Sequence, residues 1–171
     1  GDYEIHHHAT VYAGLFNGEG TNLTANKDST ALGVARVVIR PIPEIALGGN
    51  VARYFGDSTR YGADVSLETA RLVARGEWVA QARDSVGGKK DHGWWALAGY
   101  RVVPDVQLVG KYEDFRRDQI STAQRNRAWS AGLNWYVVTP GVRLSAFYVS
   151  RKIGAPGVRK GALETQLQVR F

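Results

Sequence analysis

LETQLQVRF, residues 163–171, alternates strictly: Leu163, Thr165, Leu167, Val169 and Phe171 fall on one side, Glu164, Gln166, Gln168 and Arg170 on the other. A period of two belongs to an extended strand, whose successive side chains point to opposite faces. The stretch therefore reads as a strand with one nearly apolar face, one polar face and an aromatic last residue.

The same period recurs along the chain. About ten strands are predicted, over 4–16, 31–40, 45–54, 61–69, 72–82, 93–102, 106–114, 127–137, 142–150 and 162–171. Their length, roughly nine to twelve residues, is that of membrane-spanning strands rather than of typical soluble ones. The best helical candidate, LETARLVARGEWVAQA (67–82), alternates equally well as two strands around a turn at Ala70 and Arg71. Connections alternate in kind: RPIPE, ETAR, VVPD and VTPG are short, whereas NGEGTNLTANKDS, FGDSTR, RDSVGGKKDH, FRRDQISTAQRN and RKIGAPGVRKG are longer and polar. Short turns at one end and longer loops at the other describe an all-β, antiparallel up-and-down transmembrane β-barrel, in a single domain over 1–171. Counting back from Phe171 puts every short turn at the end where the chain finishes.

One face of each strand is apolar, the other charged. Tyr61, Trp78, Trp94, Tyr100, Tyr112, Trp129, Trp135 and Tyr148 lie on the apolar face towards strand ends, as an interfacial aromatic girdle does. Arg36, Arg40, Arg75, Arg101, Lys111, Arg143 and Arg170 share the other face with Asp64, Glu68, Glu77, Glu113 and Glu164. A soluble barrel would point the charges outward; a membrane barrel points them into the lumen. The girdle and the mixed signs of the charged face favour the membrane barrel.

Composition limits the alternatives. There is no cysteine, so disulfides and thiolate metal sites are excluded, and no run of 18 apolar residues, so no transmembrane helix is predicted. GDYEIHHHAT, residues 1–10, has no apolar signal-peptide segment. The net charge of +6 admits anionic partners without selecting one.

GLFNGEGTN, ARVVIRPIP, ADVSLETARLVARGEWV, AGYRVVPDVQLVGKYEDF and AGLNWYVVTPGVRLSAFYV, in that order, resemble the phosphate-selective porin family of Gram-negative outer membranes. The match runs along essentially the whole chain and falls on the C-terminal portion of the family. The resemblance implies an outer-membrane porin, not an enzyme, that passes small anions such as phosphate by passive diffusion. Family members are longer, typically sixteen-stranded trimers, so the chain reads either as part of a larger barrel or as a small closed one. The terminal Phe171 resembles the signal read by the barrel-assembly machinery, which would place both termini on the periplasmic side. Lipid, lipopolysaccharide, a homo-oligomer or a larger envelope complex are the expected partners.

The basic lumen residues fit an anion path, because guanidinium forks match phosphate oxygens. Their acidic neighbours fit the competing reading, a narrow barrel plugged by ion pairs with a structural or interaction role. Lys89, Lys90, Arg116, Arg117, Arg151, Lys152, Arg159 and Lys160 are assigned to loops, where they contact lipopolysaccharide phosphates or keep the loops solvated. Glu4, His6 and His8 would share one strand face, but without a second cluster no metal site is predicted. A more distant alternative is an outer-membrane protease of the omptin kind, with Asp84, Asp91, His92 and Asp114 at the outer rim. Asp91 and His92 are sequence neighbours, so on a strand they point apart. No cofactor motif and no nucleic-acid recognition motif appears.

Overall fold

In the computed structural model the chain is a single antiparallel sheet, described over residues 2–5, 8–17, 31–55, 58–83, 90–118, 123–138, 141–153 and 158–169. Its strands are β1 (Asp2–Ile5), β2 (Ala9–Asn17), β3 (Ala31–Ile42), β4 (Ile45–Tyr54), β5 (Ser58–Glu68), β6 (Leu72–Arg83), β7 (Lys90–Val103), β8 (Val106–Asp118), β9 (Ala123–Val138), β10 (Val142–Ile153) and β11 (Val158–Val169). Each pairs only with its sequence neighbours, in the order β1 to β11, which is the up-and-down topology. Among the described residues no ladder joins β11 to β1 or β2, so the sheet has two open edges.

Two expectations are corrected. The strand expected over 4–16 is a hairpin: Ile5 pairs with Ala9 and Asp2 with Tyr12, so β1 and β2 run antiparallel. His8 lies between them in sequence, its Nδ1–H donating to the Arg40 carbonyl at 3.0 Å. Glu4 and His8 therefore do not share one strand; His6 is outside the described residues. The loop-end strands also run further than expected, because polar residues there continue the ladder. FRRDQISTAQRN is mostly strand, with Asp118 paired to Ala123, and Arg116, Arg117, Arg151, Lys152, Arg159 and Lys160 sit on strands. Lys89 is outside the described residues.

The short-turn end is stitched together by backbone hydrogen bonds from one hairpin to the next. Glu68 N donates to Glu44 O, Arg101 N to Arg71 O and Tyr136 N to Asp105 O, each at 2.8 Å. The turn after β5 is closed by Thr69, whose hydroxyl accepts from Leu72 N at 2.9 Å. Each turn thus extends its neighbour's ladder and leaves few backbone groups unpaired.

Burial is inverted relative to a soluble sheet. Tyr61, Val65, Trp78, Trp94, Leu108, Trp129, Leu133, Trp135, Tyr148, Leu163 and Leu167 are all exposed, Leu163 to 74%. The buried apolar side chains among the described residues are Val38 and Val149, and both lie on the polar face. Gln107, Asn134 and Ser145, also on that face, are buried as well. Crowding on the polar side and exposure on the apolar side mean that the polar face is the inside of the curve. The apolar face is a continuous exposed band far wider than a soluble monomer tolerates, and it fits lipid. In β9, Trp129 and Trp135 bracket this band six residues apart, about 20 Å along the strand.

The polar inner face is packed tightly enough at one point to need glycine. A Cβ on Gly132 would run into the Ala146 carbonyl oxygen and lie 2.7 Å from Phe147 Cα, backbone that has nowhere to move. A Cβ on Gly49, on the outer face, meets nothing within 4 Å. Gly132→Ala should therefore destabilise the folded sheet by about 2 kcal/mol, whereas Gly49→Ala stays within about 0.5 kcal/mol of the parent. Urea titrations in detergent micelles, read by the gel shift of the folded form, measure both.

Candidate functional site

The polar face carries the chemistry, and strand register decides which charges meet. Arg36 on β3 and Asp64 on β5 are separated by β4, yet their side chains pair bidentately at 2.7 and 2.8 Å. They meet over Gly48, where a Cβ would lie 2.6 Å from the Arg36 guanidinium and collide with the Asp64 carboxylate. A strand residue without a side chain thus lets an ion pair bridge its two neighbours. Glu77 lies directly opposite Asp64 and accepts a hydrogen bond from the Trp95 indole N–H at 2.8 Å. Lys111 stands 5.2 Å from the Trp95 ring and donates to Glu113 at 2.7 Å. The result is a continuous band from β3 to β8 in which acids and bases largely cancel.

Nearer the short turns the balance changes. Arg75, Arg101, Lys111 and Arg143 line one recess of about 360 Å³ with Trp95, Gln107, Asn134 and Tyr136; the only acid lining it is Glu68. Glu68 pairs with Arg75 at 3.2 Å, an exposed contact. Arg101 instead stacks on the Tyr136 ring at 5.1 Å, and Arg143 donates to the neutral Gln168 side chain at 2.6 Å. The Arg143 Nε–H is buried and has no acceptor among the described residues. A neutral hydrogen-bond chain forms the floor: Ser145 donates to Asn134 at 2.7 Å, and Asn134 and Tyr136 donate to Gln107 at 3.1 and 3.2 Å. Two guanidinium groups held by neutral partners leave a net positive recess in a setting drier than bulk water, where their charge acts more strongly.

Of the basic residues proposed from sequence, Arg36, Arg75, Arg101, Lys111 and Arg143 stand on the polar face, with Asp64, Glu68, Glu77, Glu113 and Glu164 beside them; Arg40 falls in the register break between Ile39 and Ile42. Arg170 and Phe171 are outside the described residues. Glu164 pairs with Arg151 at 2.8 Å, so Arg151 belongs to the inner face and not to a loop. The eight girdle aromatics lie on the outer face; Trp94 and Tyr112 touch at 5.2 Å, Trp129 and Tyr148 at 5.4 Å. Trp95 and Tyr136 were missed as site residues. Both are aromatics in the charged register, and that is the only signal they carry in the sequence.

Among the described residues the rim separates Asp91 from His92. Asp91 faces inward and pairs with Arg83 at 3.0 Å, while His92 and Asp114 are on the outer face. Asp84 is outside the described residues. The Asp91–His92 couple of the protease alternative is thus split across the sheet, and Asp114, on the same face as His92, is held by Arg125.

A cycle through Arg36→Gln and Asp64→Asn should yield a coupling of about 1 kcal/mol, since both side chains are about two-thirds covered. The same cycle on Arg151 and Glu164, half exposed, should yield less than about 0.5 kcal/mol. Equilibrium unfolding of the four variants in each cycle gives the two numbers.

The family model of phosphate-selective porins O and P matches residues 16–171. No curated protein matches the chain. That span runs from the end of β2 through β11 and contains the whole inner-face band and the basic recess. The family is one of outer-membrane pores rather than enzymes, and the lipid-facing apolar band agrees with that location. The chain belongs to the phosphate-selective porin O and P family.

Proposed function

We propose that the polar face is the wall of a passive anion path, and that Arg75, Arg101, Lys111 and Arg143 form its selective stretch. The observation that carries this is the recess, where Arg75 and Lys111 have Glu68 and Glu113 as partners while Arg101 and Arg143 are held by the neutral Tyr136 and Gln168. An anion passing there exchanges hydration for guanidinium and ammonium donors, while a cation meets uncompensated positive charge. The Arg36–Asp64 and Arg151–Glu164 pairs are already satisfied and act mainly to hold neighbouring strands in register. The periplasmic side is the short-turn end, with 43–44, 69–71 and 104–105, because porins keep short turns there and longer loops outside. The recess therefore sits towards the periplasmic mouth.

The second reading, a barrel plugged by its own ion pairs, is favoured by the band from Arg36 to Glu113. Planar-bilayer recordings of the folded protein separate the two, since a plugged wall passes no current. Under a potassium chloride gradient the parent should reverse on the chloride side. Replacing Arg101 and Arg143 together by Gln should lower the chloride-to-potassium permeability ratio several-fold without abolishing current. An unchanged ratio in the folded double variant would remove these two residues from the selective path, and no current from the folded parent would favour the plug.

A further inference from the structure

The outer face is largely apolar away from its loop end. At the loop end Arg53 and Thr59 stand on β4 and β5, and the densest run of charges lies on β7 to β11. Register places Trp94, Asp114, Arg127, Lys152 and Arg159 in one row across five strands. One step nearer the membrane centre lies the row Ala96, Tyr112, Trp129, Ser150 and Gly161. The step is two residues, about 7 Å. One step the other way, His92 is opposite Arg116, and Arg116 opposite Arg125. A cationic strip thus borders the aromatic girdle on the side that faces lipid.

The strip is built rather than scattered. Asp114 is buried at 7% exposure although it stands on the lipid face. Arg125 covers it through both Nε (2.8 Å) and a terminal nitrogen, and Arg127 approaches at 3.5 Å. One buried carboxylate therefore gathers two half-exposed guanidinium groups at one place. Asp114 is the only acid on that face among the described side chains. Lys152 and Arg159, both exposed, are directly opposite each other on β10 and β11. Tyr148 leans its hydroxyl the same way, over Gly161, where a Cβ would sit 2.5 Å from it. The opposite end of the same face, at Ile39, Leu67, Tyr100, Trp135 and Val137, is apolar.

We infer that Arg125, Arg127, Lys152 and Arg159 form a binding site for the headgroup of an outer-leaflet lipid that carries more than one phosphate. The girdle fixes the depth: Trp and Tyr lie at the headgroup level, so cations one step beyond them meet lipid phosphates. A guanidinium already oriented by Asp114 keeps free N–H donors in a fixed fork for a phosphate oxygen. Four cations over three strands against a single neighbouring acid fit a polyanionic headgroup better than a zwitterionic one. The long acyl chains of such a lipid would lie along the exposed Leu133, Leu163 and Leu167 side of the same strands.

The test is native mass spectrometry of the detergent-folded protein with a bisphosphorylated lipid A, its fully dephosphorylated form and phosphatidylethanolamine. The parent should retain the bisphosphorylated lipid and not the other two. Changing Arg127, Lys152 and Arg159 together to Gln should lower that retention by at least about tenfold. Changing Arg117, Arg151 and Lys160 to Gln removes the same charge from the inner face and should leave retention as in the parent. Inorganic phosphate at millimolar concentration should not displace the lipid. Equal retention of phosphorylated and dephosphorylated lipid by the parent would overturn the inference. So would equal losses in the two triple variants, or displacement by inorganic phosphate. Each variant is first checked for the folded gel form, so that loss of folding is not read as loss of lipid.

Discussion

Hydrocarbon cannot hydrogen-bond a peptide group, so a chain that crosses a membrane in extended form must pair its backbone with its own strands. Everything else in this protein follows from how that pairing is arranged. Ten long strands and one short one pair in chain order, and the short turns add hydrogen bonds from hairpin to hairpin. With the backbone satisfied inside the sheet, each strand's two faces are left to meet two different solvents. The outer face presents Leu, Val, Trp and Tyr to lipid, and the inner face presents charge and amide to water.

That division changes what stability and selectivity draw on. A soluble sheet gains most from a buried apolar layer, whereas here the apolar side chains stay exposed and the close packing is polar. Gly48 and Gly132 mark two places where the inner face is full. Along that face, pairs such as Arg36 with Asp64 cancel and hold register. The recess around Arg101 and Arg143 remains positive because its partners are Tyr136 and Gln168 rather than acids. Charge that is not neutralised locally is what an ion in transit feels.

Much of this was legible in the sequence because a period of two determines faces directly. The split between Arg36 and Val37, or between Trp94 and Trp95, needs only alternation. Register does not follow from alternation, since it comes from which residue opposes which across a turn. For that reason the meeting of Arg75, Arg101, Lys111 and Arg143 in one recess could not be read from their positions. The antiparallel pairing of β1 with β2 was hidden because the sequence between them carries no turn signal. The strip on the outer rim was hidden for a different reason. FRRDQISTAQRN looks like a loop by composition, yet Arg116 pairs with Arg125 and continues β8 and β9, which brings Arg125 beside Asp114 and Arg127, where charge on the lipid side meets headgroups.

The absence of native cysteine makes the inside-out assignment directly measurable. Single cysteines at 130, 131, 133, 134 and 135 in β9, in protein folded into lipid vesicles, are exposed to a membrane-impermeant charged thiol reagent. Ser130→Cys and Asn134→Cys should react, while Ala131→Cys, Leu133→Cys and Trp135→Cys should be protected by lipid until detergent is added. Reaction at the odd positions with protection at the even ones, or equal reaction at all five, would contradict a lipid-facing apolar band and a water-facing polar wall.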